Sequence, residues 1–115
     1  MDEKLAKMKC SACRGDEPPL SDRELEDYLP RVPEWELIEE DDVKKLRRTF
    51  DFSNFVQALD FTNEVGEAAE EEGHHPIITL TWGEATVTWY THKIGGLHEN
   101  DFIMAAKTDE VYGNE

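Results

Sequence analysis

Three of the four histidines stand where groups able to trade protons near neutral pH are useful. His74 and His75 are adjacent, in Gly73-His74-His75-Pro76, and His92 follows in Tyr90-Thr91-His92-Lys93. Imidazole titrates close to pH 7, so a group of them holds a proton donor and a proton acceptor together. Elimination of water needs both, because the departing hydroxyl takes up a proton while a neighbouring N–H gives one up. Three histidines are also a ligand set for zinc or iron, although adjacent side chains on a loop diverge and make awkward paired ligands. A third reading gives these histidines no more than a surface or loop-capping role. Spacing alone leaves all three open.

The elements around the histidines decide whether they meet. Ile77 to Trp82 and Ala85 to Tyr90 are rich in Thr, Ile, Val and aromatics and flank Gly83-Glu84, the pattern of a hairpin. Residues just before the first strand and just after the second then share one end of the sheet, which brings His74, His75 and His92 towards one pocket. The longest helix is expected from about Ser53 to Glu72. Phe55, Leu59, Thr62, Val65 and Ala69 follow helical spacing, with Val56 and Phe61 widening the buried face, and Gly73 is placed for a left-handed C-cap. Gly95-Gly96 precedes a last helix, about His98 to Thr108. Asp101 falls at its N3 position, where an acid caps as readily as it serves chemistry. Glu70, one turn before His74, has the same two readings.

Upstream, Ser21-Asp22-Arg23-Glu24 has the form of a capping box opening a short helix with Leu25, Tyr28 and Leu29 on one stripe, stopped by Pro30 and Pro33. Trp35 to Ile38 and Leu46 to Phe52 read as strands joined through an acidic turn. In the second, Leu46, Phe50 and Phe52 share a face, with Arg48 the exception. The order is α-β-β-α-β-β-α. That predicts an α+β fold, a four-stranded antiparallel sheet with three helices on one face.

A chain of 115 residues suits one domain with one core. The net charge of −15 argues against nucleic acid or an anionic membrane as partner, since both reward a basic surface. The acidity itself fits a solubilising surface or adaptation to high salt. No run approaches the ~20 apolar residues of a membrane span, and no apolar leader follows Met1, so a cytoplasmic address is expected. Cys10 and Cys13, the only cysteines, form a Cys-x-x-Cys without a second pair to complete a zinc site and without the strand–helix turn of a redox pair. Residues 1–20, ending in Pro18-Pro19, therefore read as a mobile extension before a domain spanning 21–115.

Glu70-x-x-x-His74-His75-Pro76, then five residues to Trp82, nine to His92 and eight to Asp101, resembles the signature of the pterin-4a-carbinolamine dehydratases, also known as dimerisation cofactors of a hepatocyte homeodomain factor. Trp35 and Phe52-Ser53-Asn54 also resemble family positions, so the similarity covers about residues 21–108. The element order agrees with the family fold. The resemblance implies dehydration of 4a-hydroxytetrahydropterin to the quinonoid dihydropterin, in tetrahydropterin recycling, with no metal or organic cofactor. It implies His74 and His92 as general acids, each suited to one stereoisomer, and His75 as the residue that orients the pterin. Glu70, Asp101 and Pro76 then support the site, and Trp35 walls it. His98 stands where the family often has Ser or Thr and is left out of the catalytic set. The implied partners are the pterin and further copies of the chain, as a homodimer or homotetramer. A pterin-binding role in molybdenum cofactor metabolism and a protein-interaction role on the same scaffold are the rival expectations.

Overall fold

A two-residue turn sets the first strand pair. Asp41 and Asp42 both take left-handed backbone, at φ 53° and 64°, the conformation that matches the twist of a tight hairpin. Short polar side chains tolerate it better than most. The turn joins β1 (Glu36–Glu40) to β2 (Val43–Asp51), with Glu40 opposite Val43. The second hairpin is β3 (Ile77–Leu80) and β4 (Glu84–Trp89). β2 pairs with β4, so the order is β1-β2-β4-β3 with every pair antiparallel. The computed structural model describes residues 3–11 and 17–113.

Alternation divides the sheet into a core face and a polar face. Leu46 and Phe50 of β2 lie opposite Trp89 and Ala85 of β4, and these four with Val87 are fully buried. The opposite face carries a bond between the Thr49 and Thr86 hydroxyls (2.9 Å) and one from Arg47 Nε to Thr88 Oγ1 (3.0 Å). Arg48, the polar exception on the core face, lies over the Phe50 ring at 4.4 Å. Its Nη1 donates to Asp109 Oδ1 at 2.5 Å.

The helices cover that core face. α2 (Asp22–Tyr28) begins with the expected capping box: Ser21 Oγ accepts from Glu24 N, and Glu24 Oε1 accepts from Ser21 N. Tyr28 stacks on Phe102, 4.9 Å between ring centroids. α3 (Phe55–Glu72) and α4 (Glu99–Gly113) pack against the sheet and each other. The buried stripe of α3 differs from the expected one. It is Ala58, Phe61, Val65 and Ala69, whereas Phe55, Val56 and Leu59 remain 43%, 63% and 37% exposed. The helix carries two apolar stripes, and the sheet takes only one.

The described residues of the extension, 3–11 and 17–20, pack against the domain where a mobile tail is expected. α1 (Glu3–Lys7) lies along α4. Leu5 is 1% exposed, and burying a leucine contributes about 1.5–3 kcal/mol. Lys107 Nζ donates to the Ala6 carbonyl at 2.7 Å. Further on, the Pro19 ring lies 2.8 Å from where a Cβ on Gly96 would stand, an approach only glycine permits. Cys13 lies outside the described residues.

Candidate active site

The end of α3 delivers the first histidine. Gly73 takes φ 65°, and its N–H donates to the Glu70 carbonyl at 3.3 Å while His74 N donates to the Ala69 carbonyl at 3.1 Å. These two bonds are those of a Schellman motif, which satisfies the last carbonyls of a helix. The backbone of His74 is thus the last fixed point of α3. Its ring lies on Trp89, with centroids 5.4 Å apart and planes inclined by 29°.

Asp101 holds the same ring from behind. The residue is fully buried, and its Oδ1 lies 2.6 Å from His74 Nε2. Its Oδ2 accepts from Thr91 Oγ1 (2.7 Å) and from His98 N (2.9 Å). One oxygen therefore caps α4 while the other holds His74, so the capping contact does not exclude a contact with the histidine. A carboxylate oxygen accepts, so in this pair the imidazole carries a proton on Nε2. His98 completes the helix start, its Nδ1 accepting from Asn100 N at 3.0 Å as a serine or threonine oxygen does at that position. Its Nε2 meets Glu17 Oε2 at 2.7 Å.

The other two histidines stand nearer to water. His75 Nε2 is 2.5 Å from Glu70 Oε1, and both side chains are exposed. Such a pair contributes little stability, yet it sets the direction of the ring. His92 opens a 3-10 turn, His92–Ile94, closed by Gly95 in left-handed backbone. Its Nδ1 is 3.3 Å from Tyr90 Oη. A bridge between Thr91 and Gly96 holds the turn against the end of β4.

His74, His75 and His92 line one open hollow of about 490 Å³ at this end of the sheet. Tyr90, Thr91, Asn100, Cys10 and Ser11 also line it. Another hollow, of about 530 Å³, is bounded by Asp51, Phe52, Ser53, Gln57 and Tyr112 and contains no imidazole. The proton-transfer groups single out the first.

Several predicted residues lie behind the hollow or away from it. Asp101 and Glu70 contact His74 and His75 rather than lining it, and Pro76 is not among its walls. Trp35 is buried elsewhere, with Nε1 donating to Asp109 Oδ1 at 2.9 Å. Asp109 is eight residues along α4 from Asp101, about 12 Å on a helix, so Trp35 is a core residue outside the hollow. Trp82 is 70% exposed at the hairpin turn. Thr91, Tyr90 and Asn100 were missed by sequence reasoning. Their flanking of His92 and Asp101 was the only signal. Among the described residues no three or more His, Cys, Asp or Glu side chains are grouped to hold a metal ion. No helix among them is long and apolar enough to cross a membrane.

Known proteins resemble this chain in sequence and in fold. The family model described as "Pterin 4 alpha carbinolamine dehydratase" matches residues 18–111. A protein of Marinobacter nauticus named "Putative pterin-4-alpha-carbinolamine dehydratase" is 60% identical over 108 residues, 94% of this chain and 97% of its own. One of the same name from Nitrosococcus oceani is 57% identical over 109 residues, 95% of this chain and 96% of its own. Both matches reach into the segment before residue 18. A crystal structure of a transcriptional coactivator/pterin dehydratase from Brucella melitensis superposes with a TM-score of 0.75 at 28% identity, covering 83% of this chain and 99% of its own. A pterin dehydratase-like protein identified as a RuBisCO assembly factor in the alpha-carboxysome shares the fold alone, with a TM-score of 0.59, 22% identity and coverage of 69% of this chain and 89% of its own.

Proposed function

The chain belongs to the pterin-4-alpha-carbinolamine dehydratase family, and on that premise we propose that it removes water from 4a-hydroxytetrahydropterin to give the quinonoid dihydropterin. The observation that carries this reading is the buried Asp101 bonded to His74 Nε2 in a hollow that also holds His75 and His92. In the reaction the C4a–O bond breaks, the N5–H proton passes to solvent water, and the N5 electron pair forms the C4a=N5 bond. The hydroxyl departs as water once it gains a proton.

His74 suits the proton transfer to the hydroxyl. Asp101 keeps Nε2 as the donor in that pair, so it is a second proton, carried on Nδ1 of the imidazolium, that passes to the hydroxyl. Solvent water restores it after each turnover. His92, across the hollow on the β4 side, serves the same role for the opposite stereoisomer. His75, oriented by Glu70, binds and aligns the ring. Tyr90 supplies the aromatic surface that Trp35 does not. The reading includes a cytoplasmic setting, a place in tetrahydropterin recycling and assembly as a homodimer or homotetramer.

Dehydration followed by absorbance, for wild type and for His74→Ala, His75→Ala and His92→Ala, tests the proposal. Wild type should accelerate the reaction, and loss of one general acid should lower the rate on the order of 10²–10⁴-fold with the fold intact. No acceleration by wild type would sink the dehydratase reading. Retained pterin binding would then point to a binding role such as molybdenum cofactor metabolism. Loss of both would point to a protein-interaction role, for which the exposed Phe55, Val56 and Leu59 of α3 offer a surface.

A further inference from the structure

We propose that residues ahead of the matched family span belong to the pterin site: Cys10 and Ser11 form a substrate-contacting wall of the cleft, held there by Asn100 and Glu72 as positioning residues. The proposal rests on the dehydratase reading and deepens it. Three independent observations support it.

The first is placement. Cys10 and Ser11 line the same hollow of about 490 Å³ as the three histidines. His75 and His92 are themselves exposed, and so is Ser11, so a wall on the Asn100 side adds contact surface for the ring that those two imidazoles lack. The second is the way the segment is held. Asn100, 3% exposed, takes both main-chain groups of Ser11: its Oδ1 accepts from Ser11 N at 2.9 Å and its Nδ2 donates to Ser11 O at 2.7 Å. Both polar ends of one buried amide are thereby satisfied by one residue, a pairing that fixes the segment's position and direction. Glu72 Oε1 accepts from Cys10 N at 2.8 Å.

The holding residues are also neighbours of the chemistry. Asn100 precedes Asp101, and Glu72 stands two residues before His74. The wall and the proton-transfer pair are thus carried by the same two helix ends. α1 anchors the segment on one side through buried Leu5. On the other side, Glu17 meets His98 at 2.7 Å.

The third observation is the chemistry of the wall. Burial above all, followed by the Glu72 carboxylate, pushes the Cys10 thiol up from 9.0 to about 12. The sulfur stays an S–H, 3.9 Å from the Asn100 carbonyl, and a thiol is neither nucleophile nor metal ligand until it loses that proton. The wall is therefore a neutral, polarizable surface, suited to a flat ring. It carries no proton-transfer group, so its effect belongs to binding rather than to the chemical step.

Two variants of the full chain separate this role from simple structural support. Ser11→Pro removes the N–H given to Asn100 Oδ1, and Ser11→Trp keeps both main-chain bonds but fills the cleft. KM in the dehydration assay and Kd for 7,8-dihydropterin, read by fluorescence quenching, should each rise about ten-fold or more. The rate at saturating substrate should stay within about three-fold, because the histidines are untouched. If Ser11→Pro proves unstable to heating, Ser11→Trp decides alone. Variants that match an active wild type in KM and Kd overturn the wall and leave the dehydratase reading standing. A wild type that neither binds nor turns over removes that reading first, and the wall falls with it.

Discussion

Asp101 shows how much one buried carboxylate can hold. Its two oxygens receive three donors, from His74, Thr91 and His98, with no exposure to water. Asp101→Asn puts an amide N–H among those donors, which leaves at least one of them without an acceptor. Such a loss costs about 1–3 kcal/mol of stability, measurable by urea unfolding. Turnover should fall on the order of 10²-fold as His74 loses the partner that fixes its tautomer. A variant that unfolds earlier yet keeps its full rate would confine Asp101 to capping. The three motif histidines were legible at this scale because residue type and loop position mark them. Trp35 was not, since nothing in its surroundings in sequence tells a pocket wall from a core indole whose N–H meets Asp109.

The helix ends are the elements that aim the site. Gly73 was predicted as a left-handed C-cap and takes that role at φ 65°. A Cβ there meets nothing within 4 Å, so Gly73→Ala acts through the backbone alone. It should cost about 1–2 kcal/mol and shift the His74 backbone that closes the motif. The expected outcome is a lower thermal midpoint together with a lower kcat. A drop in midpoint with kcat unchanged would show that His74 is aimed by Trp89 and Asp101 alone. The strands, the capping box and α3 were legible because hydrophobic period and cap residues are local signals. Which of the two α3 stripes is buried was not, because periodicity gives the spacing of a face and not its angle to the sheet. α1 was invisible for a related reason. A helix of five residues has no stability of its own and exists here because α4 offers Leu5 a buried place.

At the scale of the whole molecule, charge and exposed apolar surface pull in opposite directions. Each chain carries −15, while Phe55, Val56 and Leu59 lie in the open along α3. Burying that stripe against a second copy gains apolar contact but brings like charges together. Raising the salt shortens the screening length from about 10 Å at 0.1 M to about 3 Å at 1 M, so assembly should strengthen with salt. Light scattering should record a larger mass in molar salt than in dilute buffer, and Val56→Glu should suppress the increase. Equal masses in both buffers would remove the salt dependence.

The sequence by itself determined the sheet, the three main helices, the family and the three histidines of the candidate site. Each of those is written in residue type and spacing over short stretches of chain. The tertiary structure alone decided that Asp101 serves His74 and the start of α4 at once, that Trp35 belongs to the core, and that Cys10 and Ser11 reach the cleft. Apart from the local cap between His98 and Asp101, the contacts behind those three findings join residues 27 to 90 positions apart. Such pairs meet only when α3, α4 and the N-terminal segment are packed together, and the burial that packs them is summed over the whole core.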